Sequence, residues 1–280
     1  MKKWKSYFRS PLSLFLLLLV WGAALITFAM LALLVLFILI KGIPHLRPSL
    51  FTWEYNSDNV SLLPALINTV LMAGLSLLIA APLGIFAAIY LTEYAKRGNR
   101  LVGLIRITAE TLSGIPSIVY GLFGFLLFAV KFGWSYSILG GALTLAIMIL
   151  PLIMRTTEEA LKSVPDSYRE GSFGLGAGKM RTVFRVVLPS AVPGILSGII
   201  LSIGRIVGET AALMYTAGTV AGVPGSVMGS GRTLAVHMYM LTNEGLHLDQ
   251  AYGTAAVLLL IVVGINALSG LIARRLAAGK

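Results

Sequence analysis

The chain has 280 residues, of which 57% are hydrophobic and only 12% charged, about half the charged share of an average soluble domain. A water-soluble fold of this length cannot bury so much apolar surface, so that class is excluded. The absence of cysteine excludes disulfides, zinc–thiolate sites and iron–sulfur clusters, and the net charge of +11 must be explained by where the basic residues fall.

The first apolar run, Leu14 to Ile40, has 27 residues without a charge and makes roughly 40 Å of helix, enough to cross a bilayer with some tilt. It follows "MKKWKSYFR" but is about twice as long as a signal-peptide core and ends in no small-x-small site, so it reads as an uncleaved first span. Five more runs follow: Leu62 to Leu91, Ile107 to Val130, Ile138 to Met154, Val192 to Ala217 and Ala251 to Ala273. With the N-terminus inside, both termini are cytoplasmic. The inside segments then hold 17 basic residues and the outside segments four, Lys41, Arg47, Lys131 and Arg232, with Arg205 within a span. This asymmetry matches the positive-inside rule, so the basicity is membrane topology and predicts no nucleic-acid partner. Trp21, Trp53 and Trp134 fall within or near the span ends, where indole rings anchor in the lipid interface.

The third run contains "SGIPS". Pro116 lacks a backbone donor and Gly114 has no side chain, so the helix should kink or break here. Ser113, Ser117 and freed amides then face a translocation pathway, or the kink serves packing alone. The inside segment Arg155 to Leu188 carries ten charges and "SFGLGAGKM". The glycines suggest a phosphate loop, but Phe173 stands where the first P-loop glycine belongs and Met180 where the magnesium-binding hydroxyl belongs. The dinucleotide pattern fails at Lys179. The segment reads instead as a helix with Ser163 as N-cap and Asp166 as its acidic partner, a turn at Gly174, Gly176 and Gly178, and a second amphipathic piece running to Leu188 and Pro189.

In the fifth run, "GRIVGETAAL" places Arg205 and Glu209 four residues apart, on one face of a continuous helix. A charge at a span centre costs about 2.5–3.5 kcal/mol on insertion scales, so the pair has a purpose. It is either a structural ion pair, or a site where the guanidinium fork binds phosphate oxygens while Glu209, with Thr210 beside it, accepts the proton of HPO4 that sulfate lacks. The outer loop Gly218 to Gln250 begins glycine-rich and flexible and then turns amphipathic, predicting a short helix packed on the outer mouth. His45, His237 and His247 have no ligand-like spacing and predict no metal site.

One spacing goes further. Glu170, Gly171, Ser172, three residues, Gly176, nine residues, Val186, one residue, Leu188, Pro189 resembles the E-A-A-x3-G-x9-I-x-L-P loop of ABC importer permeases. "PLGIFAAIYLTEYAKR", "TLSGIPSIVYGLFG" and "GRIVGETAAL" are similar to the phosphate-specific ABC importer transmembrane permease subunits of the PstA type. The resemblance covers the chain from about Leu62 onward. It implies an all-α integral membrane protein of six transmembrane helices, with the type I ABC importer permease fold and a cytoplasmic coupling helix.

The division is then residues 1–61, holding the tail, first span and first external loop, and a permease domain over 62–280, with the coupling loop at about 155–189 and the external loop at about 218–250. The implied coupling residues are Asp166, Tyr168, Arg169, Glu170, Gly171, Ser172, Gly176, Leu188 and Pro189. The implied partners are a PstC-like sister permease, a homodimeric PstB-like ATP-binding subunit that carries all hydrolysis, a PstS-like extracytoplasmic phosphate-binding protein, membrane lipid, and inorganic phosphate as substrate. No cofactor is implied. A permease for sulfate, molybdate or phosphonate fits the same coupling spacing, and a self-sufficient secondary transporter is the alternative of another class.

Overall fold

The structure, a computed structural model, describes residues 11–96 and 98–278. The N-terminal basic tail, Arg97 and Lys280, which the sequence places inside, lie outside the described residues. Helix α1 spans Pro11–Gly42, and two 3-10 turns, Ile43–His45 and Pro48–Phe51, lead into the first loop. Helix α2 spans Leu63–Ile89 and runs into a π turn at Tyr90–Tyr94. Helices α3 (Arg100–Ser113) and α4 (Ser117–Gly124, extended by a π segment to Lys131) form a pair bent by 101°. Then come α5 (Ile138–Lys162), α6 (Asp166–Gly174), α7 (Lys179–Val207), α8 (Ala211–Thr216), α9 (Leu234–Glu244) and α10 (Leu248–Ala278). Among the described residues, five helices are long and apolar enough to cross a membrane, and the bent pair makes a sixth.

Helix α5 is the axis of the bundle. Two-thirds of its most apolar window is buried, against none for α1, whose Leu18, Leu25 and Phe28 all face outward. Lipid tails are as apolar as leucine, so burial alone does not drive these helices together; close backbone approach and dispersion do. Glycine supplies that approach. A side chain on Gly84 of α2 would meet Ile153 at 2.9 Å, and one on Gly194 of α7 would meet Ala160 at 2.7 Å. The core beside α5 is filled by Met72, Leu145, Ile149, Ile153, Ile206 and Leu213. A second cluster, Ala88, Leu91, Leu161, Val183 and Val187, closes the end where the basic residues gather.

Two expected boundaries move. The fourth span continues past Met154 to Lys162, because Glu158 turns inward, where it meets Arg106 at 2.7 Å and Lys162 at 2.6 Å. Ser163 therefore does not open the next helix. It closes α5, its hydroxyl donating to the Ala160 carbonyl at 2.8 Å, while Pro165 holds the N-cap position of α6. Pro189 lies inside α7 rather than at its start. The turn before it is widened to a π pattern, with the Leu188 amide donating to the Val183 carbonyl, which accommodates a residue that offers no amide to Arg185.

The glycine-rich outer segment is pinned rather than free. Gly231 and Arg232 donate to the carbonyls of Ala217 and Val220, and Ile138 and Leu139 donate to those of Gly229 and Val227. The short helix expected after it is α9.

Gly121 gives a sharp packing test, because a side chain there would meet the Ala212 Cα at 2.7 Å and its carbonyl oxygen at 3.0 Å. Backbone cannot rotate aside as a side chain can. Gly121→Val is expected to separate α4 from α8 and to destabilise the purified protein by about 1–3 kcal/mol, read as a lowered thermal midpoint in detergent.

Candidate functional site

Two helix breaks meet near the middle of the bundle. The first is Gly114–Pro116. Its amides are not free, as the sequence reading had them: Gly114 and Ile115 donate to the carbonyls of Thr111 and Leu112, both at 3.1 Å. The Ser113 hydroxyl donates to the Ala109 carbonyl at 2.9 Å, and the buried Tyr120 hydroxyl reaches back across the break to the Leu112 carbonyl at 2.8 Å. A broken helix in an apolar medium is tolerated when its polar groups are satisfied in this way. Ser117, half-buried, opens α4.

The second break corrects the fifth span. Helix α7 ends at Val207, and Gly208 to Thr210 turn the chain before α8 begins. Arg205 and Glu209 are thus not on one helical face and form no ion pair. Glu209 is buried, and its Oε1 accepts from the Ala212 amide at 3.0 Å, holding the first turn of α8. A carboxylate satisfies an orphan amide at a helix start and complements the positive end of its dipole. Among the described residues Arg205 has no carboxylate within 4.0 Å, and its guanidinium lies within Coulombic reach of Tyr120. Thr210 lines a mostly apolar hollow of about 450 Å³ with Ile118, Met214 and Tyr239. Ser117, Arg205, Glu209 and Thr210 thus belong to two facing breaks, while Ser113 spends its hydroxyl within its own helix.

At the basic end, α6 projects as a short helix with Tyr168, Phe173 and Leu175 exposed, the last at 92%. Its exit is a Schellman turn. Gly176 has φ +81°, its amide donates to the Phe173 carbonyl at 2.9 Å, and the Ala177 amide donates to the Ser172 carbonyl at 3.1 Å. Ser172 and Thr182 join the two sides of the turn through their hydroxyls at 2.9 Å. Glu170 and Gly171 are exposed on α6, whereas Asp166 receives a hydrogen bond from Arg169 at 3.2 Å.

Arg169 is the best-connected residue of this loop. Its guanidinium binds both carboxylate oxygens of Glu93 at the end of α2, the shortest contact being 2.7 Å. It also donates to the carbonyls of Val164 and Leu161 at 2.8 and 3.0 Å. The hydrogen bonds it donates to the Glu93 carboxylate hold the Arg169 guanidinium above its already high pKa, so it stays charged. Glu93 is the residue that sequence reasoning missed. The one signal was an acidic residue in "TEYAKR", among bases at the end of a span.

At the opposite end lies a buried arginine. Arg232 is 5% exposed, its Cζ stands 4.8 Å from the Tyr55 ring centroid, and no carboxylate lies within ion-pair distance among the described residues. His237, on the same side of α9, is fully buried and packs edge-on against Tyr55. Burial, with Arg232 beside it, pushes the imidazole down to about 3.

This fold, a bundle of apolar helices with facing breaks and an exposed helix at its basic end, defines a multi-pass helical membrane transport component. The chain belongs to the family described as Binding-protein-dependent transport system inner membrane component, which matches residues 80–279. It is 36% identical over 248 residues to the Probable ABC transporter permease protein YqgI of Bacillus subtilis, covering 82% of this chain and 84% of that one. It is 39% identical over 211 residues to the Phosphate transport system permease protein PstA 1 of Mycobacterium tuberculosis H37Rv, covering 74% and 68%.

Among solved structures, a chain of a bacterial ABC transporter that imports the acidic polysaccharide alginate superposes with a TM-score of 0.62 at 18% identity, over 97% of this chain and 99% of that one. A chain of the inward-facing MetNI methionine ABC transporter gives 0.56 at 22%, over 86% and 96%. The shared fold is that of type I ABC importer permeases.

His237 makes the fold acid-sensitive. It is neutral when folded and takes a proton near pH 6.5 when unfolded, so its contribution is whole above pH 6.5 and is lost as pH falls towards about 3. Each pH unit below 6.5 is expected to remove about 1.4 kcal/mol of stability. Thermal melts between pH 7 and 5 should show this slope in the wild type and not in His237→Gln.

Proposed function

We propose that this chain is the transmembrane permease subunit of an ATP-driven phosphate importer, forming half of the translocation pathway while a separate subunit hydrolyses ATP. The observation that carries the reading is the exposed α6, turned sharply at Gly176 and followed at once by α7, which reaches Arg205 as one span. A short helix of this kind can dock into a partner and pass on its rigid-body motion. Asp166, Tyr168, Arg169, Glu170, Gly171, Ser172, Gly176, Leu188 and Pro189 form that coupling segment.

Phosphate as the substrate is supported by the PstA-named relatives and by Arg205. A guanidinium with no carboxylate beside it, where two helix breaks meet, is free to bind an oxyanion with its fork of donors. Ser117 and Thr210 flank the same passage. Glu209 contributes by holding α8 in place, and the proton-sensing role falls to its second oxygen. The assembly comprises a PstC-like sister permease, two copies of a PstB-like ATP-binding subunit and a PstS-like binding protein on the outer side. The excess of basic residues on one set of loops supports both termini being cytoplasmic, and the segment to residue 61 is an addition to the permease domain.

Two outcomes test this. Arg205→Ala, in a complex that assembles normally, is expected to lower phosphate uptake about ten- to hundred-fold, the value of one charged hydrogen-bonding group; wild-type uptake overturns the assignment. Gly176→Val places a β-branched residue in the left-handed region at a cost of roughly 1–2 kcal/mol. It should leave membrane insertion intact and uncouple hydrolysis from uptake in proteoliposomes. Flux by this chain alone, driven by an ion gradient and indifferent to ATP, would establish the secondary-transporter alternative instead.

A further inference from the structure

We infer that the last turn of α2 is the receiving end of the coupling loop, with Glu93 and Tyr94 as positioning residues that make α2 move with both helices beside Gly176. The inference rests on the transport reading for what the motion accomplishes, and on this structure for the connection itself.

The chain leaves α5 at Lys162 and re-enters the bundle at Lys179, so α6 is attached covalently only to α5 and α7. Glu93, in the π turn that ends α2, lies 76 residues before Arg169, yet this turn grips the loop on both flanks. On the α6 side, Arg169 and Glu93 form a paired contact of 2.7 and 3.4 Å, with side chains only 16% and 8% exposed. Planar, two-point contacts of this kind fix direction as well as distance. On the α7 side, the Lys179 ammonium stands 5.1 Å from the Tyr94 ring centroid, close enough for a cation–π attraction.

Glu93 and Tyr94 are consecutive residues in the π turn Tyr90–Tyr94 that finishes α2, and such turns re-aim side chains that a regular helix would direct elsewhere. Arg169 simultaneously caps α5 through the carbonyls of Leu161 and Val164, so α2, α5 and α6 share one guanidinium. Helices α2 and α5 also make the most extensive helix-to-helix contact in the fold. A displacement of α6 therefore reaches the bundle not only along α5 and α7, to which it is joined, but also sideways through Arg169 into α2.

The test uses the complete transporter in proteoliposomes with its binding protein and radiolabelled inorganic phosphate. Glu93→Gln keeps the shape and removes the charge. Phosphate taken up per ATP hydrolysed is expected to fall about ten-fold, within the range typical of coupling between sites, while the ATP-binding subunit still copurifies. Because the chain has no cysteine, Glu93→Cys with Arg169→Cys can be bridged by a short thiol-specific bifunctional reagent. Bridging should restore the coupling ratio that the unbridged double variant lacks.

Wild-type coupling in Glu93→Gln overturns the inference. So does an equal loss of hydrolysis and uptake with loss of the ATP-binding subunit, which marks a purely structural contact. Amide hydrogen exchange of α6 needs no transported substrate, and in Glu93→Gln it should quicken about ten-fold. If the wild-type complex moves no phosphate, the substrate reading fails, and unchanged α6 exchange then separately overturns the clamp.

Discussion

The structure depends on how closely other helices approach α5. In lipid, apolar faces gain little by meeting one another, so packing relies on surfaces that fit at contact distance. Glycine provides that fit around the axis. Gly84 of α2, Gly124 of α4 and Gly194 and Gly198 of α7 each lie where a side chain would collide with α5, at Ile153, Thr144, Ala160 and Thr156 respectively. These contacts set the helices at the distances from which the two breaks can face each other. They also explain why the half-helices α4 and α8 persist, because α8 is only six residues long and has no independent stability.

Burial at the breaks imposes a strict polar accounting. Groups released at Pro116 and Gly208 find partners within the chain: the Leu112 carbonyl accepts from Tyr120, and the Ala212 amide donates to Glu209. Arg205 is the exception among the charges of this region, and that asymmetry singles it out. Basic residues at the far end behave differently. Arg106 and Lys162 converge on Glu158, and Arg169 on Glu93, so part of the clustered positive charge there is committed to internal pairs.

Spans were legible in the sequence because long apolar runs allow few alternatives in a bilayer, and the "SGIPS" break because proline and glycine act on the backbone locally. The break after Val207 was hidden for a physical reason. Its one local signal, Gly208, is ambiguous, and the spacing of Arg205 and Glu209 matches a helix pair; the carboxylate instead stabilises the start of a new helix. Ser163 misled in a similar way. A hydroxyl followed by an acidic residue suits a helix start, but this one follows an inward-turning Glu158 that prolongs α5. The Glu93–Arg169 pair joins residues far apart in the chain, and nothing in a single sequence relates them.

The continuity of α7 has a mechanical consequence. From Lys179 to Arg205 the chain rises about 39 Å as one span, with a widened turn at Val183–Val187 and Pro193 within it. A tilt of about 5° at the end next to Gly176 shifts the other by about 3 Å, roughly the length of one hydrogen bond. Under the role proposed for Arg205, a rotation of this size is enough to grip or release a bound oxyanion. The π turn and Pro193, where regular helical hydrogen bonds are lost, set how much of that rotation arrives.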